Sequence, residues 1–271
     1  MPYSSRYERI RIVVRVRSIV ILAGLSLFSV AQAGTNYYVS EAGSDRNDGL
    51  SEVTPWKSLS KVSRENFNPG DTVRFRAGDT FEGQLVILDS GTAESPITFT
   101  QYGSGEKPLL DAGNPRRGAY AATVLIENQD HLIISELKIR NFRKRAREGT
   151  DDADAYGILV KNSGKRALSG YEFSQLEISE VYPIERRKMF NRNTVSAIRF
   201  ETLPAKTVDT AFNTSDIDIY DNVIRLSGRF GIAIRHRPSN VGRVRGTPQD
   251  FDENVRIINN LCEDLGGAAY C

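Results

Sequence analysis

The C-terminal half of the chain repeats itself, and the repetition limits the possible folds more than any other feature. Residues 156–161 (YGILVK), 196–201 (SAIRFE), 230–235 (FGIAIR) and 266–271 (GGAAYC) share one shape, a small or aromatic lead-in followed by alternating residues. A second recurring strand lies between them, at 132–139 (LIISELKI), 176–181 (LEISEV), 217–224 (IDIYDNVI) and 255–262 (VRIINNLC). One copy cannot bury its apolar face alone, so copies must stack. Taking Ile158, Ile198, Ile232 and Ala268 as equivalent gives steps of 40, 34 and 36 residues. Strands this short with loops this variable read as coils of a parallel β-solenoid, with insertions absorbed at the turns.

Residues 1–33 read as an export leader rather than as fold. Arg6, Arg9, Arg11, Arg15 and Arg17 form a basic start, Ile19 to Val30 is apolar but short for a bilayer span, and Ala31-Gln32-Ala33 resembles a cleavage site. Cleavage after Ala33 predicts a secreted or periplasmic protein with no membrane span. The leader holds 5 of the 36 Lys+Arg and 1 of the 34 Asp+Glu, which leaves 31 against 33. A nearly neutral mature chain argues against a general nucleic-acid role, which needs a strongly basic surface. The remaining residues suit one domain, expected to act as a monomer. It divides into a cap at 34–70, irregular first rungs at 71–121 and regular coils at 122–271.

Two cysteines, Cys262 and Cys271, sit in an export-bound chain where a disulfide can persist. Strand alternation argues against their pairing, since Cys262 matches the inward Ile224 and Cys271 the outward Arg235. The alternative for Cys262 is a small buried hydrophobe. No Cys/His cluster with zinc spacing occurs.

Toward the N terminus, TNYYVS is a strand and EAGSDRNDGLSEVTPW is rich in turn formers. Asp45, Asn47, Asp48 and Gly49 resemble an oxygen-rich calcium loop, one residue short of the EF-hand spacing, and equally suit a self-capping turn. Trp56, the only tryptophan, is expected to pack over the open end of the solenoid, with a short helix near 56–63.

The run YYVSEAGSDRNDGLSEVTPWKSLSKV, followed by FNPGDTVRFRAGDTFEGQL, SPITFTQYGSGEKPLLDAG, IDIYDNVI and VRIINN, resembles the right-handed parallel β-helix superfamily. That superfamily includes the pectate lyases and related polysaccharide lyases. The resemblance covers residues 36–271. It implies an all-β, single-stranded right-handed parallel β-helix with an N-terminal cap and three strands per coil. Members usually continue for more coils, so a C-terminal truncation is expected. In the implied order, Asn222 and Asn260 fall in the tight second turn, where stacked asparagines can satisfy neighbouring backbone groups. The insertions at 141–155 and 183–195 on one side, and 162–172, 202–214 and 237–253 on the other, would wall the strand-one sheet into a groove suited to a glycan.

Alternation on strand one points Ile158/Val160, Ile198/Phe200 and Ile232/Ile234 inward, and Leu159/Lys161, Arg199/Glu201 and Ala233/Arg235 outward. Lys161, Glu201 and Arg235 would then form a column, with Arg199 beside it. β-Elimination on a uronate polymer needs a positive group to neutralise the substrate carboxylate and a base to take the neighbouring proton. Lys161 or Arg235 is the candidate base if like charges surround it, and His236 is the alternative. Glu201 with Asp151, Asp152 or Asp154 is a candidate Ca²⁺ site, or the acid pair of a hydrolase. Arg186 and Arg187, with Lys188 and Arg192 nearby, are candidates for gripping acidic groups, as is the run Arg143–Arg145. Tyr156 and Phe230, and Met189-Phe190, are candidates for stacking on sugars.

Two functions follow from these readings. The first is a secreted lyase acting on an acidic, uronate-containing glycan, with a glycoside hydrolase as the second enzymatic option. The other is a non-catalytic glycan-binding β-helix or the remnant of a longer enzyme, because charged ladders also arise from solubility alone.

Overall fold

The computed structural model describes residues 34–113, 120–144, 151–163, 166–187, 194–202, 214–236 and 254–266. The expected leader at 1–33 lies outside them, as do 203–213, 237–253 and 267–271. β1 (Asn36–Val39) is followed by one helical turn, α1 (Leu59–Val62). Three strands then make each coil. The first two coils are β2 (Thr72–Arg76), β3 (Thr80–Glu82) and β4 (Leu85–Ile87), then β5 (Ile97–Tyr102), β6 (Leu109–Asp111) and β7 (Ala122–Glu127). The third and fourth are β8 (Leu132–Ser135), β9 (Lys138–Phe142) and β10 (Ala155–Asn162), then β11 (Leu168–Ser174), β12 (Glu177–Tyr182) and β13 (Val195–Thr202). β14 (Thr214–Tyr220), β15 (Val223–Ser227) and β16 (Phe230–His236) form the fifth, and β17 (Val255–Ile258) with β18 (Leu261–Glu263) begins a sixth.

β1 and the first strand of every coil build sheet one, the second strands sheet two and the third strands sheet three. All neighbours are parallel, so the chain winds as the right-handed parallel β-helix expected from its sequence, in the hand that parallel crossovers favour. Like stacks on like inside. Val73, Phe99, Ile134, Phe173 and Ile219 are register partners in sheet one. Phe81, Leu110, Ile139, Ile178 and Ile224 align in sheet two. Leu85, Val124, Ile158, Ile198 and Ile232 align in sheet three, which is the equivalence read from the repeat. All fifteen are buried.

The corner between sheets one and two is a single left-handed residue in each of four successive coils: Glu136, Gln175, Asp221 and Asn259, with φ between 53° and 56°. One such residue turns the chain sharply, and a short polar side chain tolerates it best. The next residue faces inward. Earlier coils place Leu137 and Leu176 there; later ones place Asn222 and Asn260. Asn222 accepts from Leu176 N at 2.8 Å and donates through Nδ2 to Phe173 O at 2.9 Å and Asn260 Oδ1 at 2.8 Å. Asn260 donates to Ile219 O at 2.9 Å. The expected asparagine stack therefore exists and bonds the two later coils to the ones before them.

The cap is also as expected. Trp56 is 1% exposed and stacks on Tyr37 at 4.9 Å, and its Nε1 donates to Asn47 O at 3.0 Å. A Cβ on Gly49, at φ 74°, would fall 2.4 Å from the indole, so only glycine fits. The calcium-like turn is a capping turn. Asp45 accepts from Lys57 N, Ser58 N and Ser58 Oγ, while Asp48 accepts from Leu50 N and Thr54 Oγ1.

One expectation is overturned. Cys262 takes its inward register opposite Ile224, yet it is disulfide-bonded, and Cys271 is the only other cysteine of the chain. Alternation of side chains holds only inside paired strands. It therefore says little about a cysteine lying beyond β18.

Asn222→Ala should cost about 2 kcal/mol or more, because it strands a buried amide and a buried carbonyl; urea unfolding of the two proteins measures it. A second expectation concerns pH. Burial alone would raise the Asp45 pKa, but hydrogen bonds from Ser58 and Lys57, with the charge of Lys61, outweigh it and hold the carboxyl below its usual range. Its contribution is therefore present above the unfolded value and is lost as pH falls through the folded one. The gap in melting temperature between wild type and Asp45→Asn should close in acid. A gap that stays constant with pH contradicts this role.

Candidate functional site

Sheet three carries the longest paired strands, and its ends receive the insertions. Both β10 and β13 open with a slip in alternation. Ala197 and Ile198 are consecutive, yet both belong to the core. In β10 a Cβ on Gly157 would meet Ile178 Cγ2 at 2.9 Å, so that backbone also faces inward, as Ile158 does. The residue before the slip therefore points outward. Tyr156 accordingly packs with Leu159 and Ala122 in a second apolar cluster, separate from the core.

The outer face is thus a grid. Its first row runs Ala122, Tyr156, Ser196, Phe230. The second runs Val86, Leu125, Leu159, Arg199, Ala233. The third is Glu127, Lys161, Glu201, Arg235. The structure thus brings Lys161, Glu201 and Arg235 together as a column, with Arg199 beside Glu201, and adds Glu127. Lys161 Nζ lies 4.0 Å from Glu127 Oε2. Its register neighbours are both acidic, so the like charges that a lysine base requires are not adjacent to it. His236 continues β16 opposite Thr202, one step off the charged row.

Exposure divides the face. Tyr156 is 4%, Leu159 7% and Arg199 2% exposed, so the first two rows are largely covered in their middle. Arg199 does not stand open in the groove, as alternation alone implies. In the third row Lys161 keeps a third of its side chain exposed and Glu127 nearly half, whereas Glu201 is 9% exposed.

Arg143, 2% exposed, organises the turn before β10. Its Nη1 donates to Asp151 O at 2.6 Å and also to Asp154 O. Burial lowers the guanidinium pKa, and the charges of Asp154, Asp152 and Asp151 oppose that shift. Asp151 Oδ1 accepts from Ala153 N at 2.8 Å, and Asp152 O accepts from Glu185 N at 2.9 Å. Among the described residues no three His, Cys, Asp or Glu side chains converge as a metal-holding group.

Of the expected sugar-stacking and anion-gripping residues, Arg186 lies over the rings of Phe142 and Tyr182, at 5.2 and 5.0 Å, at the end of sheet two. Arg187 is exposed. Phe230 takes the first row of the face, with the Arg229 guanidinium 5.0 Å over its ring. Lys188, Met189, Phe190 and Arg192 lie outside the described residues. Glu127 is the residue that sequence reasoning missed. The segment TVLIE carries the same alternation as ILVK, and extending the column one coil backward would have found it.

No protein-family profile matches the chain. The lacto-N-biosidase of Bifidobacterium longum subsp. longum is 34% identical over a stretch covering 49% of this chain and 9% of that protein. The uncharacterized protein YwoF of Bacillus subtilis is 33% identical over 48% of this chain and 26% of its own length. Among solved structures, the GH136 lacto-N-biosidase from Eubacterium ramulus superposes with a TM-score of 0.68 at 26% identity, covering 87% of this chain and 42% of that one. The chain spans less than half the length of each of these relatives.

The slip predicts its own cost. Gly157→Ala places a methyl 2.5 Å from Ala197 O and 2.9 Å from Ile178 Cγ2, and should destabilise by about 1–3 kcal/mol, measured by urea unfolding. A neutral substitution would show that β10 relaxes freely.

Proposed function

We propose that the chain is the glycan-binding β-helix of an exported glycoside hydrolase and that its substrate is uncharged. The observation that carries this reading is the third row of sheet three. Two carboxylates alternate there with two cations, Glu127, Lys161, Glu201 and Arg235, so the row presents no net charge. Arg199, beside Glu201, adds a positive charge, and these two opposite charges are both largely buried. A polyanion needs a surplus of accessible cations, whereas a neutral sugar needs donors and acceptors side by side along its hydroxyls. The likeness to lacto-N-biosidases supports the same class. Uronate elimination has less support, because both register neighbours of Lys161 are acidic. The disulfide at Cys262 suits an oxidising compartment, in agreement with an export leader.

Hydrolysis needs one carboxyl group to protonate the leaving oxygen and another to act on water or on the sugar. Glu127 and Glu201 stand two rungs apart, with backbones about 9.6 Å apart at the usual spacing of parallel strands, so that side chains leaning together would bring the carboxyl groups into the roughly 6.5–9.5 Å separation that admits a water between acid and base. In the balanced reaction, water adds across the glycosidic bond. Its proton passes to one carboxylate while the other carboxylic acid releases a proton to the departing alcohol. Lys161 lies between the two glutamates and would hold a hydroxyl of a sugar lying along that row.

The test is product analysis of the leader-free protein on lacto-N-biose-containing oligosaccharides and on polygalacturonate. New reducing ends are expected from the first and no unsaturated uronate from the second. Glu201→Gln and Glu127→Gln should each lower kcat by roughly 10²–10⁴-fold. Unsaturated product from polygalacturonate, or hydrolysis indifferent to both substitutions, contradicts the reading. Binding without cleavage would leave a glycan-recognition module.

A further inference from the structure

A recess of about 750 Å³ opens beside the cap, at the N-terminal end of sheet three. Its size falls within the usual range for small-ligand sites, about 300–1,000 Å³. Its floor and walls come from four separate segments. Glu41 and Asp45 belong to the turn after β1, and Lys57 and Ser58 precede α1. Glu82 and Gln84 lie at the join of β3 and β4, and Tyr120 leads into β7. The lining thus combines the aromatic residues Phe81 and Tyr120 with several hydrogen-bonding groups.

The recess is braced against the start of sheet three. Asn141, fully buried, donates through Nδ2 to the carbonyls of Tyr120, Ala121 and Tyr156 at 3.2, 2.9 and 2.9 Å, tying the starts of β7 and β10 together. Gln84 Nε2 donates to Ala122 O at 2.8 Å, and Ala122 begins the first row of the outer face. The Asp45 carboxylate is already engaged by Lys57 N, Ser58 N and Ser58 Oγ, so it braces the wall. The Glu41 carboxylate and Lys57 ammonium carry no hydrogen bond or ion pair with a described residue and remain available.

We propose that this recess is a sugar subsite extending the groove beyond its first coil, and that it takes an uncharged sugar. The proposal rests on the reading of sheet three as a glycan groove. Three carboxylates, Glu41, Asp45 and Glu82, face one ammonium, Lys57, so the lining repels a uronate while offering acceptors to hydroxyl groups. The Tyr120 ring supplies the flat apolar surface on which a pyranose face can pack.

The test is calorimetric binding of cellohexaose, hexa-N-acetylchitohexaose and hexagalacturonate to wild type, Tyr120→Ala and Glu41→Gln, each checked for an unchanged melting temperature. Glu41 is exposed, so its substitution keeps the test open if Tyr120→Ala fails to fold. At least one neutral hexasaccharide should bind more tightly than hexagalacturonate and lose about five- to tenfold in affinity on Tyr120→Ala, with a smaller loss for Glu41→Gln. Neutral binding untouched by both substitutions, tighter binding of hexagalacturonate, or no binding of either neutral probe overturns the subsite. Binding weakened by the substitutions in a protein that cleaves nothing upholds the subsite and defeats the hydrolase reading. Cleavage with affinity indifferent to Tyr120 and Glu41 does the reverse.

Discussion

Backbone register between successive coils is the constraint on which the rest of this molecule depends. Parallel pairing without offset sets Ile158 against Ile198 and Ile232, and the same pairing sets Lys161 against Glu201 and Arg235. The core stack and the charged row are thus two faces of one alignment. Register in turn is held by the corners. A left-handed residue at 136, 175, 221 and 259 turns four successive coils at the same height, and the Asn222–Asn260 pair bonds the later coils across that turn. A slip of one residue would invert both faces at once.

That rigidity has a functional consequence. A sheet locked from within can carry varied side chains outside at little cost to the fold, which is why one scaffold serves many activities. Here the variation yields a face that is apolar and covered in its middle rows and charge-balanced along its third. The Arg143 clamp on the carbonyls of Asp151 and Asp154 fixes the turn that leads into β10. The aspartates thus shape the rim through their backbone as well as through their side chains. The acidic recess at the cap and the balanced row together underlie the proposal of a ligand without net charge.

Much of the fold was legible because apolar repetition is a strong signal. The inward isoleucines, the asparagine turn and the capping role of Trp56 all follow from residue type and spacing. The site was less legible for physical reasons. Alternation locates the side of a sheet but not what covers it, so Arg199 read as open although it is 2% exposed. The slip at Gly157 leaves only a weak mark, a small residue at 157, 197 and 231, yet it decides that Tyr156 joins the outer cluster. Glu127 was hidden because its coil precedes the clear repeats. The disulfide at Cys262 depends on the path of the chain after β18, which strand periodicity does not describe.

The central claim is that the outer face of sheet three is a groove for an uncharged glycan. A crystal structure of the leader-free Glu201→Gln protein soaked with a neutral hexasaccharide addresses it most directly. The expected result is sugar density along the rows of sheet three, within hydrogen-bond distance of Lys161 and Arg235. Sugar bound on sheet one or sheet two, or a groove that takes a uronate oligomer and leaves the neutral one in solution, would contradict it.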